Sequence, residues 1–258
     1  TEPANPASLM KLVTTYAALD LLGPSWTWST GIWLQGKLRD PGAEGVLEGD
    51  LVIKGSGDPK LVLERVWLML RKVRQAGVRE IRGDVVIDRS AFGATEQSTA
   101  EFDGEPLRPY NTLPDALVLN YKSIALTFVP DAARGVARVS AEPMLHGVRV
   151  DEEVPLASVR CDDWRAALKL DADDAARLRF RGAYPAGCGE RVWTLAYVDP
   201  GSYNARLIEA LWRESGGRLA GRVREGSAPT GAPPTLEFSS PPLAEVVRDI
   251  NKFSNNVM

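Results

Sequence analysis

Histidine is almost absent from this chain: its 258 residues include one, His146. A zinc site built on several histidines is thereby excluded, and no His-Glu-x-x-His pattern exists. A Ser-His-Asp triad would have to use His146, and no Gly-x-Ser-x-Gly elbow supplies its serine. His146 precedes the alternating Val148 and Val150 and is expected at a strand end. Cysteine is scarce too. Cys161 and Cys188 are too few for a metal cluster by themselves, and neither belongs to a Cys-x-x-Cys redox pair. In an exported protein they would form a disulfide; as buried free thiols they would suit a reducing compartment. The net charge is −3, so nothing electrostatic points to nucleic acid. No apolar run reaches the roughly 18 residues of a membrane span. With 44% hydrophobic and 25% charged residues the composition is that of ordinary soluble protein, and the length allows one large domain or two to three small ones.

What the chain does have is a serine–lysine pair at the start of a helical pattern. The stretch Ala4-Asn5-Pro6-Ala7-Ser8-Leu9-Met10-Lys11 leads through Leu12, Val13, Tyr16, Ala17 and Leu21 to Gly23-Pro24. Proline and small residues before the apolar run, and Gly-Pro after it, are helix start and stop signals. Ser8 and Lys11 are three apart and share one face of the first turn. A serine hydroxyl is a poor nucleophile and needs a base within hydrogen-bond reach. Lysine can be that base only as the neutral amine. Its solution pKa, roughly 10.4, must be drawn toward neutrality by burial, nearby positive charge or the positive end of the helix dipole. The Ser8 N–H, free at a helix start, can help hold an oxyanion. The plain alternative is a capping serine beside a solvated lysine, since a chain this long shows about one Ser-x-x-Lys by chance.

The far end of the chain weighs against chance. It reads Ile250-Asn251-Lys252-Phe253-Ser254-Asn255-Asn256-Val257-Met258, and Ser254 with Asn256 makes a Ser-x-Asn. Ser-x-x-Lys, a Ser-Asp-Asn type box and Lys-Thr-Gly are the three motifs of penicillin-binding proteins and class A β-lactamases. A second copy, Ser202-Tyr203-Asn204, follows Asp199-Pro200-Gly201 and opens a helical pattern, so Ser202 reads as a helix cap. Candidate catalytic residues are therefore Ser8, Lys11, Ser254 and Asn256. Lys252 could add positive charge near them, although a solvated helix-end lysine is the favoured reading.

On these residues the chain resembles the class C low-molecular-mass penicillin-binding proteins, D-alanyl-D-alanine carboxypeptidases/endopeptidases of the cell envelope. Asn5 to Asp20 is similar to their active-serine helix. Leu51-Val52-Ile53-Lys54-Gly55-Ser56-Gly57-Asp58-Pro59, Gly83-Asp84-Val85-Val86-Ile87-Asp88 and Pro109-Tyr110-Asn111 resemble segments that follow it, and Asn251 to Asn256 resembles the second box. The long gap between the boxes resembles the family's domain insertion. No Lys-Thr-Gly, Lys-Ser-Gly or His-Thr-Gly occurs; by the resemblance, the chain is expected to be an internal piece of a longer protein that would have lost any signal peptide. The resemblance implies an α+β multidomain fold: a partial penicillin-binding/β-lactamase-like transpeptidase domain, 1–33 with 240–258, interrupted by an inserted α/β domain, 34–139 with 197–239, that carries a nested β-rich domain, 140–196. It implies a serine peptidase cleaving peptidoglycan stem peptides through an acyl-enzyme on Ser8, acylated by β-lactam antibiotics, needing no cofactor or metal, and located in the periplasm or outside the cytoplasm, with peripheral attachment to membrane or cell wall left open. A β-lactamase or esterase of the same superfamily, or a non-catalytic peptidoglycan-binding module, are the alternatives.

Along the middle, Trp26 to Thr30 and Ile32 to Leu34 read as strand, Gly49 to Ile53 as a second, residues 61–76 as a helix with Val62, Val66, Leu70 and Val73 inward, and Ile81 with Val85 to Ile87 as the next strand, a strand–helix–strand block that suggests an α/β layer. Gly55-Ser56-Gly57 has no Gly-Lys-Ser/Thr after it and reads as a turn, not a phosphate loop. Residues 90–116 form a long polar connection in which Asp103, Tyr110 and Asn111 are candidate groove residues by the resemblance. Short strands at 123–129, 136–139, 148–150, 178–181 and 192–195 make a β-rich region. A helix at about 203–214, a linker at 226–234 and a last helix after Pro241-Pro242 deliver the chain to Ser254. Without the remaining sheet of a peptidase domain, the apolar faces of the terminal helices are expected to be partly exposed.

Overall fold

A computed structural model gives the structure of the chain and describes residues 5–42, 44–93, 95 and 97–258; Ala4, in the serine–lysine stretch, lies outside the described residues. A single 3-10 turn, Ala7–Leu9, runs into helix α1, Met10–Leu22. Gly23 ends that helix with φ +82°, giving its N–H to the Leu19 carbonyl at 3.0 Å. Glycine takes such a φ without steric cost, so the stop is local to the sequence. Strands β1 (Ser29–Arg39) and β2 (Val46–Lys54) pair antiparallel, α2 (Leu63–Gln75) crosses over, and β3 (Glu80–Ile81) and β4 (Val85–Asp88) return parallel to β2. Trp26 to Trp28, expected as strand, stay outside β1. The Trp26 and Trp28 carbonyls accept instead from Leu243 and Ser240, at 2.7 and 2.9 Å.

The chain continues through β5 (Ser123–Asp131), β6 (Val136–Glu142), β7 (Arg149–Val150), β8 (Glu153–Ala157), α3 (Trp164–Leu168), β9 (Leu170–Asp174), β10 (Arg177–Phe180), β11 (Tyr184–Pro185) and β12 (Arg191–Ala196). After α4 (Pro200–Glu214) come β13 (Arg218–Leu219), β14 (Val223–Glu225), β15 (Leu236–Ser239) and α5 (Leu243–Phe253).

These elements form two compact units. The first comprises Thr1–Gln97, Leu113–Tyr121 and Trp212–Met258. Its sheet runs β13-β3-β2-β1-β15, with β4 paired to β2 and to β14. Leu51, Val52 and Ile53 are all buried, so central strand β2 is covered on both faces. Val66, Met69, Leu70 and Val73 of α2 are buried as well, the 3.6-residue stripe that the sequence displays. The Gly55-Ser56-Gly57 segment is a tight crossing: a Cβ on Gly55 would stand 2.2 Å from the Ala116 carbonyl oxygen, and Gly57 donates its N–H to that same oxygen at 2.8 Å. Glycine is there for close approach of two backbones; residues 55–58 themselves form no turn, which comes only at Pro59–Lys60.

The second unit comprises Ser98–Thr112 and Lys122–Leu211. It holds a five-stranded sheet, β11-β8-β6-β5-β12, and a three-stranded one, β7-β10-β9. Phe128 is the hub of its aromatic core, with ring centroids 5.3 Å from Phe180, 5.4 Å from Tyr184 and 5.7 Å from Trp164. Cys161 and Cys188 form a disulfide. His146 lies in a turn, not at a strand end, because its N–H and carbonyl are both taken by Arg206 of α4, the latter at 2.9 Å from the guanidinium.

Candidate active site

The two ends of the chain meet in the first unit, where α1 packs on α5. Ser254 follows α5 in a left-handed conformation, φ 51° and ψ 40°. Helices often end in this conformation, but on glycine or asparagine; on serine it costs roughly 1 kcal/mol. The turn carries the Ser254 hydroxyl off the helix to within 3.1 Å of Ser8 Oγ. Lys11 Nζ lies 3.0 Å from Ser8 Oγ and 3.3 Å from Ser254 Oγ, and it donates to Asn256 Oδ1. Three hydrogen-bonding partners therefore surround one amine. As an ammonium, Lys11 can fill all three; as a neutral amine, it keeps a lone pair to accept from a serine hydroxyl. All four sequence candidates thus converge within hydrogen-bond reach.

Ser8 does not cap the helix. Neither the 3-10 turn nor α1 has a side-chain cap, and the Ala7 N–H instead meets Asn5 Oδ1 at 2.9 Å. The hydroxyl is left for Lys11 and Ser254. One turn further on, Thr15 donates to the Lys11 carbonyl at 2.7 Å and accepts from Asn251 Nδ2 of α5 at 3.2 Å. Thr15 is the one buried residue of α1, so this bond is a fixed tie between the two helices just behind the cluster. Neither Thr15 nor Asn251 was singled out by the motifs, although Thr15 stands four residues after Lys11, the spacing at which helix side chains share a face.

The second Ser-x-Asn is structural. Ser202 was expected to cap α4, but it lies inside the first turn, and Asp199, before Pro200, takes the cap position, with Oδ1 3.4 Å from the Ser202 N–H. Tyr203 and Asn204 are buried, and Tyr203 gives its hydroxyl to the Ser123 carbonyl at 2.8 Å. Lys252 places its Nζ over the Phe253 ring, 5.5 Å from the centroid. Asp103, Tyr110 and Asn111 hydrogen-bond to one another in the second unit, Tyr110 Oη at 2.8 Å and Asn111 Nδ2 at 2.7 Å from the carboxylate. The Tyr110 hydroxyl in particular holds the Asp103 carboxyl below its usual value. Among the described residues, no group of three or more His, Cys, Asp or Glu is placed to hold a metal ion.

The exposure of the terminal helices is as expected. Leu9, Leu12, Val13, Tyr16, Leu21 and Phe253 are each more than half exposed. The cluster itself is open to solvent on this side.

Comparison with known proteins places these features in context. The model of the D-Ala-D-Ala carboxypeptidase 3 (S13) family matches residues 1–258. A D-alanyl-D-alanine carboxypeptidase from Actinomadura sp. (strain R39) is 28% identical over 266 residues, covering 97% of this chain and 47% of that protein. The D-alanyl-D-alanine carboxypeptidase DacB of Haemophilus influenzae is 22% identical over 250 residues, covering 97% of this chain and 51% of its own length. The chain thus spans about half the length of these curated relatives. The crystal structure of penicillin binding protein 4 (dacB) from Haemophilus influenzae superposes with a TM-score of 0.72 at 21% identity, covering 98% of this chain and 55% of that one. A structure of the same protein complexed with a β-lactam gives 0.63 at 20% identity, covering 95% and 51%. Both show the fold.

Proposed function

The chain belongs to the D-Ala-D-Ala carboxypeptidase 3 (S13) family, and on that premise we propose that the whole protein is a serine DD-peptidase of peptidoglycan stem peptides. The observation that carries the proposal is the meeting of Ser8, Lys11, Ser254 and Asn256 from opposite ends of the sequence, with Lys11 Nζ 3.0 Å from Ser8 Oγ. Lys11 takes the hydroxyl proton as Ser8 Oγ attacks the carbonyl of the penultimate D-alanine. The Ser8 N–H shares in holding the oxyanion. The C–N bond breaks, and the proton passes through the Ser254 hydroxyl to the leaving D-alanine amine. Asn256 keeps Lys11 in place through its carbonyl oxygen and offers its amide to the substrate's peptide group. Water then hydrolyses the Ser8 ester. A β-lactam enters by the same attack and stays as the acyl adduct.

The proposal extends to location, to the manner of surface contact and to a division of the chain into domains. A periplasmic or other extracytoplasmic location suits the Cys161–Cys188 disulfide, since such bonds persist in oxidising compartments. Among the described residues no helix is long and apolar enough to cross a membrane, and contact with the cell wall or a membrane surface would be peripheral. Residues 1–33 and 240–258 are assigned to the peptidase domain, 34–139 and 197–239 to an inserted α/β domain, and 140–196 to a nested β-rich domain. A fragment 34–239 that folds alone would support this division; one that stays unfolded would remove it.

Intact-mass and peptide-map analysis after incubation of the full-length protein with benzylpenicillin tests the chemistry. A stable adduct on Ser8, lost in Ser8→Ala, is expected. Rapid β-lactam consumption with no adduct would transfer the reading to a β-lactamase, and no adduct with no consumption would leave a binding module.

A further inference from the structure

The Ser254–Asn256 box is fastened to α5. The Ser254 and Asn255 N–H groups both meet the Ile250 carbonyl, the latter at 3.1 Å. The box therefore rides on the last turn of the helix, and its distance from Lys11 depends on where α5 stands against α1. The start of α5 is fixed by main chain: its Leu243 and Ala244 N–H groups meet the Trp26 and Pro24 carbonyls at 2.7 and 3.0 Å. Those bonds satisfy donors that a helix start leaves open. They lie about 15 Å from Ser254, at 1.5 Å of rise per residue. At that distance they pin the helix without setting the rotation of its last turn.

The last turns are gripped by side chains. With 3.6 residues per turn, Asp249 and Asn251 stand about 160° apart. They flank, one on each side, the core stripe made by the buried Leu243 and Val246. On one flank Asn251 donates to Thr15 of α1. On the other, Lys60 Nζ donates to Asp249 Oδ2 at 2.7 Å. The Lys60 side chain is 22% exposed and that of Asp249 14%, so the pair is largely out of water, where a charge-assisted bond is short, strong and little screened. This bond holds the Asp249 carboxyl below its usual value, so it is ionised at neutral pH.

Lys60 is itself firmly placed. Its N–H meets Asp58 Oδ1 at 2.8 Å. Leu61, next to it, is buried, and the Leu61 carbonyl accepts from the Asn120 N–H at 2.7 Å. Asn120 Oδ1 in turn accepts from the Leu63 N–H at 3.2 Å. The connection between β2 and α2 is thus a fixed post beside α5.

We propose that Lys60 is a positioning residue of the active site: bound to Asp249, it opposes the Thr15–Asn251 tie across α5 and so sets the rotation that brings Ser254 and Asn256 to Lys11. This rests on the peptidase reading given above. An atom about 5 Å from a helix axis moves about 0.9 Å when the helix turns by roughly 10°. Misplacement on the order of 1 Å can cost up to about a hundredfold in rate. Ser8 and Lys11, on one turn of α1, keep their own spacing.

The test uses the full-length protein with benzylpenicillin as probe. Lys60→Met keeps the stem and removes the ammonium. The acylation rate constant should fall about tenfold, while the binding constant that precedes acylation changes less than about twofold. The pH profile of acylation should drop at every pH without moving along the pH axis, because Lys60 acts through position and not through its charge. The double variant Lys60→Met/Asp249→Leu leaves no unpaired buried carboxylate, which keeps the test usable should Lys60→Met fail to fold. It should be as slow as Lys60→Met. Arg248→Ala, which removes the exposed second partner of Asp249, should acylate at the wild-type rate. Wild-type acylation in either Lys60 variant, a displaced pH profile, or an equal loss in Arg248→Ala would overturn the proposal. A crystal structure of the double variant reads the position directly: Ser8 Oγ and Ser254 Oγ should stand further apart than 3.1 Å. If the wild type takes no acyl group, the peptidase reading fails; that separation then decides the positioning role by itself, and an unchanged value removes it.

Discussion

Helices α1 and α2 lie in the same unit and have the same length, 13 residues, yet nearly opposite fates. α2 buries one stripe: Val66, Met69, Leu70 and Val73 are buried, while Glu64, Arg71 and Lys72, together with Trp67 and Leu68, face solvent. α1 is apolar nearly all round, with Lys11 and Asp20 as its charged residues, and it buries only Thr15. A helix of the second kind ordinarily lies inside a protein. Here it carries the serine–lysine pair at an open surface. Burial therefore follows the partners a helix finds, not its hydrophobicity. The face of α1 that finds a partner does so through hydrogen bonds to α5.

Four measurements break or sharpen that contrast. The largest effect is expected from Leu70→Ala in α2, fully buried, which should cost about 3 kcal/mol in urea unfolding through lost burial and the cavity left behind. A cost below about 1 kcal/mol would mean that α2 is not the core helix described here. Thr15→Val should cost about 1–2 kcal/mol, since it leaves the Asn251 amide without its acceptor and unties α1 from α5. In the same variant β-lactam acylation should slow, whereas Leu70→Ala should leave the acylation of folded protein unchanged.

Asp58→Asn, just ahead of α2, gives a pH-dependent effect. Burial pushes the Asp58 carboxyl above the ordinary 3.8, against the pull of the Lys60 N–H and of the Arg65 and Lys60 charges. Below pH 3.8 folded and unfolded chains both hold the proton, and nothing is lost. As pH rises through the raised folded value, the native state comes to bear the cost of a buried charge that the unfolded chain does not. The variant should therefore melt higher than wild type at neutral pH and at the same temperature in acid. An equal difference at both would exclude the titration. The smallest effect is expected from Leu12→Ser on the exposed face of α1, within about 0.5 kcal/mol in this chain. The same substitution in a full-length protein distinguishes a face that stays in water from one covered by further chain.

Much of the fold is legible in local signals. The α2 stripe, the Gly23 stop, the strand–helix–strand order of β2, α2 and β4 and most strands of the second unit follow from periodicity and turn chemistry. Trp26 to Trp28 misled because apolar alternation cannot show that the backbone there serves the lead-in to α5. Ser202 misled because a preceding aspartate competes for the cap. The four site candidates were legible as motifs, but motifs cannot show that Ser254 turns left-handed, that Thr15 bonds Asn251 of α5, or that Lys60 pairs with Asp249 of α5. Those ties join positions more than a hundred residues apart.

By itself, then, the sequence determined which side chains could do chemistry: a serine and lysine three apart on one helix, because helical pitch alone places them together, and a Ser-x-Asn after another. Whether Ser254 and Asn256 reach that pair was decided only by the tertiary structure. Bringing residues 8 and 254 within 3.1 Å requires everything between them to leave and return, and that closure is set by the packing of β1, β2 and β15 and by the ties on α5, none of which any short stretch of sequence contains.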